Sequence, residues 1–372
     1  MTKKLIGIIF LILIVLIGIA FKSNAAGLWK AATTPRDWSF PEDFGNHSDY
    51  ATEWWYFTGN LQDAKGRKFG YQFTVFRIGV DAGKSDHGPW EVRNVFAAHF
   101  ALTDVENEKF YFSDRLSRKG PGFVEVSQDS IAVRIHNWRI EDLNEGKIGV
   151  HASDGGVEIN LELAPVKPVV LHGDRGLSKK GPGKTQASHY FSLTRLESKG
   201  NISLPDEDKP ILVSGLSWFD KEFGSNQLTE NQVGWDWFSL QFEDGRELML
   251  YSMRRRDGTI ENESSGTLVF KDGTYEHLDF SLFEIIVSEH WQSTKTHANY
   301  PSKWKINIPL YGMAITLNPK IKEQEITSEQ STGIVYWEGA VEGIAEMEGA
   351  GNTNVSGYIE MTGYAGSLGG IF

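Results

Sequence analysis

A motif that occurs twice constrains the fold of this chain more than any other feature. The first copy, residues 53–73, begins Glu-Trp-Trp-Tyr-Phe, and the second copy, residues 234–251, begins Gly-Trp-Asp-Trp-Phe. Each copy continues through a turn containing Asp, Gly and Arg into a second segment of alternating character. Aromatic runs favour strands, and these turn residues tolerate the positive φ of a hairpin. An ordered motif repeated at long separation indicates an internal duplication.

A second repeated segment closes each half of the chain. Residues 213–225 and residues 355–367 both start with Val-Ser-Gly and end with Gly-Ser, and they align without a gap. We therefore predict two domains, residues 27–225 and residues 226–372, each opening with a Trp-rich hairpin and closing with a Val-Ser-Gly strand. A chain of 372 residues is long enough for two domains.

The composition predicts an all-β fold. The chain contains 12 Trp, 12 Tyr, 22 Phe and 39 Gly, a balance that favours strands joined by tight turns. Short strand-like segments recur at near-regular spacing, as in a sandwich or a barrel. We expect two tandem antiparallel β-barrels, because a closed barrel leaves no free sheet edge and encloses room for side chains or a small ligand.

The N-terminus has a separate character. Lys3 and Lys4 precede an apolar run over residues 5–21, which small residues follow, so residues 1–26 are predicted to be a secretory signal peptide. The run is also close to the lower limit of roughly 17 residues for a membrane span, so a signal anchor is the alternative. The protein is thus expected to be exported to the periplasm or another extracytoplasmic site, with membrane association through residues 5–21 as the alternative. The chain has no cysteine, which excludes a lipoprotein anchor and thiol chemistry.

The charge balance argues against nucleic acid as a partner. Removing Lys3, Lys4 and Lys22 from the 37 basic residues leaves 34 against 49 acidic residues, a net charge of −15. No basic stripe is present in the remaining sequence. The ten histidines form no His-Glu-x-x-His motif, and the Gly-rich residues 172–176 are not followed by a helix, so neither a metal site nor a cofactor is predicted.

Six ordered motifs resemble the AttH-type lipocalin-like family, which includes the carotenoid 1,2-hydratases (hydroxyneurosporene synthases). The motifs are residues 53–59, 172–178, 189–192, 217–224, 234–237 and 336–339. The resemblance implies two lipocalin-like barrels in tandem, in agreement with the duplication. For the hydratase branch it implies addition of water across a terminal double bond of an acyclic carotenoid, after an acid, commonly an aspartate, has protonated the alkene.

Asp220 is the candidate for such an acid. Protonating an alkene needs a carboxylic acid that burial keeps neutral, and aromatic faces stabilise the resulting cation. Strand alternation places Trp218, Asp220 and Glu222 on one face. The commoner alternative is that Asp220 and Glu222 lie at a solvated strand end and pair with Lys221 or an arginine.

Other candidate residues follow from the same motifs. His189, at the start of an aromatic strand, is a candidate acid or base, although a structural histidine is more common. Asp236 lies opposite its neighbours Trp235 and Trp237 in a strand, and the alternative to ligand contact is an ion pair with an arginine. Glu53 is predicted to pair with Arg77. The predicted catalytic residues are Asp220, His189 and Glu222, and the predicted ligand-binding residues are Trp54, Trp55, Trp218, Trp235, Asp236 and Trp237.

Three functional hypotheses remain open. The first is an exported protein that binds a hydrophobic or amphipathic small molecule, a lipid or an isoprenoid, in one barrel or between the barrels. The second is a hydro-lyase similar to carotenoid 1,2-hydratase that adds water to an isoprenoid double bond. The third is a structural partner of an export or transport complex.

Overall fold

The computed structural model describes residues 29–80, 82, 92–120, 122–226, 228–349 and 351–368. The predicted signal segment, residues 1–26, lies outside the described residues. Within the described ranges, no helix is both long enough and apolar enough to cross a membrane. The described chain forms two antiparallel sheets and three short 3-10 turns, at Glu42–Phe44, Phe280–Leu282 and Pro309–Tyr311.

The first sheet contains thirteen strands. Their bounds are β1 Thr52–Asp63, β2 Lys68–Gly79, β3 Asn94–Asp104, β4 Lys109–Arg118, β5 Val124–Val126, β6 Val133–Ile135, β7 Trp138–Asp142, β8 Ile148–Asp154, β9 Val157–Pro165, β10 Val170–Leu171, β11 Leu177–Lys179, β12 Ala187–Ser203 and β13 Ile211–Gly224. The strand order is β4-β3-β2-β1-β13-β12-β9-β8-β7-β6-β5, with β10 and β11 also paired to β12. This sheet curls into a nearly closed barrel.

The second sheet contains ten strands and curls into a half-barrel. Their bounds are β14 Gln232–Phe242, β15 Glu247–Arg255, β16 Ser265–Val269, β17 Tyr275–Asp279, β18 Glu284–Gln292, β19 Asn299–Ile308, β20 Met313–Pro319, β21 Glu325–Thr327, β22 Val335–Met347 and β23 Gly351–Thr362. The order is β17-β16-β15-β14-β23-β22-β20-β19-β18, with β21 paired to β22.

The two sheets repeat the arrangement that the sequence motifs predict. The hairpin β1–β2 pairs with the closing strand β13, and the hairpin β14–β15 pairs with the closing strand β23. The predicted all-β, lipocalin-like architecture of two tandem units is therefore confirmed. The half-barrel is more open than the closed barrel that the sequence predicted for the second unit.

Side chains fill the concave interior of each sheet. In the first sheet the core includes Trp55, Phe57 and Phe219, and in the second it includes Phe238 and Ile359. The interiors are packed hydrophobic cores, so neither is the open ligand chamber that a barrel prediction allows.

A third hydrophobic cluster lies between the two sheets, on their convex faces. Its members include Tyr56, Tyr190, Trp218, Trp237 and Tyr358. The central strands are consequently buried on both faces, which explains why their sequences are nearly continuous aromatic and apolar runs. A buried ion-pair cluster also joins the sheets, because Glu247 of β15 binds Lys167 at 2.7 Å and also Arg195 of β12.

The glycines of the repeated Val-Ser-Gly motif are packing glycines. A Cβ atom added to Gly215 would collide with the backbone oxygen of Asn60 in β1, and one added to Gly357 would collide with that of Ser239 in β14. Each closing strand therefore lies unusually close to its hairpin.

We predict that Gly215→Ala lowers the free energy of unfolding by about 1–3 kcal/mol, because the strands must separate to admit the methyl group. Urea unfolding monitored by tryptophan fluorescence measures the change. The same substitution at Gly366, an exposed position outside the left-handed φ region where the added atom would meet nothing within 4 Å, separates this collision from the general effect of replacing glycine. A Gly215→Ala variant as stable as the wild type would show that the closing strand is free to move.

Candidate functional site

The strongest candidate site is a cavity between the two sheets, here called the inter-sheet cavity. It has a volume of about 90 Å³. Its wall is mainly aromatic and apolar, with three carboxylates and one lysine. The lining residues are Trp54, Tyr56, Phe76, Lys180, Tyr190, Asp220, Glu222, Leu228, Trp235, Trp237, Tyr251, Met253 and Glu360.

Strand alternation decides which residues reach this cavity. In β13, Asp220 and Glu222 face the cavity, whereas Phe219 lies in the core of the first sheet. In β14, Trp235 and Trp237 face the cavity from the opposite side. A period-two pattern thus supplies a packed core from one set of residues and the cavity wall from the other.

Asp220 is buried, with 3% of its surface exposed. Its Oδ1 atom accepts hydrogen bonds from Trp218 Nε1 at 2.6 Å and from Ser192 Oγ, and its Oδ2 atom accepts one from the Tyr190 hydroxyl at 2.8 Å. Burial raises the pKa of Asp220 to about 7, although these hydrogen bonds favour the charged form. The carboxyl group is therefore shared between its acid and base forms near neutral pH.

Glu222, two residues further along β13, has a different environment. Lys180 Nζ lies 3.0 Å from its Oε1 atom and 4.1 Å from the centre of the Tyr251 ring. Burial lowers the pKa of Lys180, but Glu222 and Tyr251 raise it more, so the lysine stays charged. Lys180, the lysine of the cavity wall, is therefore ion-paired with Glu222.

Glu360 of β23 is the second acid whose environment favours the neutral form. Its Oε2 atom accepts a hydrogen bond of 2.9 Å from Trp235 Nε1. Burial raises the pKa of Glu360 to about 7, and the nearby charges of Glu222 and Asp220 act in the same direction. The cavity therefore holds two titratable acids from different sheets, Asp220 and Glu360.

A smaller cavity of about 40 Å³, here called the side cavity, adjoins the first. Both cavities are lined by Trp54, Phe76, Trp235 and Glu360. A larger groove of about 860 Å³ lies elsewhere between the sheets. We do not place the site in that groove because it is more open than the inter-sheet cavity, nearly half of its wall is polar, and its Glu342 pairs with Lys68 at 2.9 Å.

The inter-sheet cavity brings together most of the residues that the sequence predicted. Asp220, Glu222, Trp54, Trp235 and Trp237 line it. Trp218 is the donor to Asp220 and packs against Trp237, with ring centres 6.4 Å apart. The solvated strand end considered from the sequence does not occur, because Asp220 and Glu222 are both buried.

Three predicted site residues lie away from the cavity: Trp55, Asp236 and His189. Strand alternation explains the positions of the first two. Trp55 points into the core of the first sheet, where Lys221 Nζ lies 3.4 Å from its ring centre. Asp236 points to the other face of β14 and pairs with Arg254 at 3.1 Å, as the alternative prediction stated.

His189 is the third. It packs edge-on to Trp38 and Tyr50 near Phe223, on the side of the first sheet that faces away from the cavity. Burial lowers its pKa to about 4, which keeps the ring neutral. This placement is that of a structural histidine.

Lys180, Tyr190 and Glu360 were not predicted to be site residues. Lys180 follows the short strand β11, inside a segment that the sequence presents as a long polar loop. Glu360 matches Trp218 when the two Val-Ser-Gly strands are aligned. Applying the period-two pattern to both closing strands would have placed Glu360 on the same side as the cavity residues.

The sequence profile of the AttH-like family matches residues 31–364. A solved AttH protein of Nitrosomonas europaea is 30% identical, with a TM-score of 0.80 over 90% of this chain and 100% of that one. Kievitone hydratase of Nectria haematococca is 14% identical, with a TM-score of 0.66 over 91% of this chain and 96% of that one, a similarity of fold.

A match by sequence alone is the dehydratase asqC of Emericella nidulans. The two sequences are 24% identical over 244 residues, which is 63% of this chain. The match spans 64% of the length of that relative.

Proposed function

The chain belongs to the AttH-like family, and from that premise we propose that its inter-sheet cavity binds a small amphipathic molecule and adds water to it or removes water from it. The observation that supports this proposal most is the pair of buried acids, Asp220 and Glu360, in a largely aromatic wall. Hydration and dehydration both need one group that donates a proton and another that accepts one.

The wall of the cavity supports an apolar class of substrate. Indole and phenol rings from Trp54, Tyr190 and Trp237 suit an apolar body such as an isoprenoid chain or an aromatic ring. The same rings face the place where positive charge develops when a double bond is protonated or a hydroxyl group leaves. The substrate therefore carries a double bond or a hydroxyl group next to its apolar body.

In dehydration, neutral Asp220 donates its proton to the hydroxyl group of the substrate, and that group leaves as water. The carboxylate of Glu360 takes the proton from the adjacent carbon, and the electrons of that C–H bond form the double bond. Hydration is the reverse sequence. The hydrogen bonds from Trp218 and Tyr190 hold Asp220 in place and stabilise the carboxylate that remains.

The comparisons agree with this chemistry. The sequence relative from Emericella nidulans is named a dehydratase, and the match covers 63% of this chain and 64% of that one. The similarity to kievitone hydratase concerns the fold, so the substrate of that enzyme is not transferred to this protein.

We predict that Asp220→Asn lowers kcat by about 10²–10⁴-fold with little change in KM, because the amide keeps the shape of the side chain but cannot donate the proton. The purified protein is incubated in ¹⁸O-labelled water with myrcene as a small alkene probe and with linalool as a tertiary allylic alcohol probe. Mass spectrometry measures label in the hydroxyl group and the appearance or loss of the double bond.

Asp244→Asn is the matched control, because Asp244 lies in a turn of the second sheet and pairs with Arg246 outside the cavity. Equal turnover by Asp220→Asn and the wild type would exclude Asp220 as the acid. Saturable quenching of tryptophan fluorescence by the probes without any exchange of label would favour the binding protein over the hydro-lyase. Neither exchange nor saturable binding would contradict both functions for these classes of ligand.

A further inference from the structure

Behind the wall of the inter-sheet cavity lies a buried carboxyl group that the proposed reaction does not use. Glu338 of β22 is 1% exposed, and the Tyr56 hydroxyl donates a hydrogen bond to its Oε1 atom. Its Oε2 atom accepts no hydrogen bond from the described residues. Because no donor stabilises a negative charge on this buried oxygen, the environment favours the neutral carboxylic acid.

The pairing of the strands supports this assignment. Glu338 lies directly opposite Glu360 in the register of β22 and β23. Directly opposite residues in an antiparallel pair have Cα atoms about 4.5–5.5 Å apart and side chains on the same face, so the two buried carboxyl groups are neighbours. Buried neighbours of like charge do not ionise together. The two residues therefore form a carboxyl pair that retains at least one proton.

A chain of hydrogen bonds leads to the surface from Tyr336, the neighbour of Glu338 in β22. Tyr336 lies two residues before Glu338 on the same face of the strand, and its hydroxyl group lies 2.7 Å from His99 Nδ1. His99 Nε2 lies 2.9 Å from Ser331 Oγ, and Ser331 Oγ donates to the partly exposed carboxylate of Asp114 at 2.7 Å.

We propose that this chain is a proton relay, which carries the proton taken up by Glu360 out of the cavity to Asp114 at the surface. Its members, in order from the cavity, are Glu338, Tyr336, His99, Ser331 and Asp114. The role of Glu360 as proton acceptor rests on the proposed function, whereas the hydrogen-bonded chain exists without a substrate.

The polarity of every link is consistent with outward transfer. Rotation of the neutral carboxyl group brings the Oε2 proton of Glu338 to the Tyr336 hydroxyl, which donates to His99 Nδ1. The imidazole therefore carries its own proton on Nε2 and donates it to Ser331. Burial lowers the pKa of His99 to about 3, which keeps the ring neutral and leaves Nδ1 free to accept. The charges and hydroxyl groups that face Glu338 are Glu360 and Tyr358 of β23, Tyr56 of β1 and Tyr336 of its own strand.

Each transfer is balanced. When Glu360 accepts a proton, Glu338 gives its own to Tyr336, each following group passes on one proton and receives one, and Asp114 releases one to water. The two glutamates then share one proton again, with no other bond changed. Rotation of the hydroxyl groups and tautomerisation of His99, which moves its proton from Nδ1 back to Nε2, restore the starting arrangement.

The test measures how fast the proton of the neutral carboxyl group exchanges with solvent, without a substrate. Infrared spectroscopy after mixing with D₂O follows the carbonyl band of the neutral acid, which is assigned to Glu338 by its absence in Glu338→Gln. We expect Ser331→Ala to slow the exchange on the order of tenfold, because the proton then has to leave through local opening of the sheets. Ser331→Thr, which keeps the hydroxyl group, is expected to exchange like the wild type.

Glu360→Gln distinguishes the relay from leakage through the cavity. Outward transfer predicts slow exchange in Ser331→Ala and unchanged exchange in Glu360→Gln, whereas leakage predicts the reverse and overturns the relay. Absence of the band from the wild type would also overturn it. Because no turnover is measured, failure of the relay is separate from failure of the proposed hydro-lyase activity, which the isotope-labelling experiment detects.

Discussion

Replacing Glu53 with glutamine is expected to lower the free energy of unfolding by about 3–5 kcal/mol. Glu53 is fully buried in the core of the first sheet, where it pairs with Arg77 and, at 2.6 Å, with Lys221. The His47 amide donates to both carboxylate oxygens, at 3.1 and 2.9 Å. Burial would raise the pKa of Glu53, but Lys221, His47 and Arg77 lower it well below its ordinary value.

The loss is large because glutamine leaves two buried positive charges without a counter-charge. Lys221 can avoid the cost of an unpaired buried charge by losing its proton, since burial lowers its pKa to about 8. Arg77 cannot lose its proton and keeps that cost. Chemical denaturation at pH 7 measures the difference. Glu141→Gln is the control, because Glu141 pairs with Arg139 at 2.8 Å at the surface and its loss is expected to cost less than about 0.5 kcal/mol. Similar small losses in both variants would mean that water reaches Glu53.

The ion pair of Glu53 shows how far local sequence reasoning reaches. Glu53 and Arg77 lie opposite each other in the β1–β2 hairpin, and the structure confirms the predicted pair. A tight turn fixes the register of a hairpin, so cross-strand partners follow from counting residues. The third member, Lys221, lies on a strand 144 positions beyond Arg77 and could not be found in that way.

The candidate site shows what local sequence reasoning cannot predict. Alternation along β13 correctly placed Asp220 and Glu222 on one face, but the sequence does not state whether that face meets water or a second sheet. The convex faces are buried only because the two units pack together. The raised pKa of Asp220 therefore depends on the interface between the units, because burial causes it. For the same reason, alternation alone could not decide that Trp54 lines the cavity while Trp55 fills a core.

The buried state of Asp220 has a consequence for stability that needs no substrate to observe. Between pH 4 and 7, the stability of the wild type is expected to fall by about 3 kcal/mol relative to that of Asp220→Asn. In the unfolded chain Asp220 loses its proton near its ordinary pKa of 3.8, whereas in the folded protein the pKa is about 7. In this interval the folded state binds more protons than the unfolded state, so raising the pH favours unfolding. Well below pH 3.8 both states are protonated, and the difference between the variants is constant.

Urea titrations of both proteins at intervals from pH 4 to pH 8 measure this difference directly. Subtracting one variant from the other removes the contribution of every other titrating group that the two proteins share. Asp37→Asn, at an exposed position, is expected to differ from the wild type by a constant amount over the whole range. A constant difference for Asp220→Asn as well would mean that Asp220 is ionised in the folded protein from low pH and holds no proton to donate. The stability that the folded protein loses as the pH rises towards 7 is therefore the free-energy cost of keeping a transferable proton on Asp220 at neutral pH.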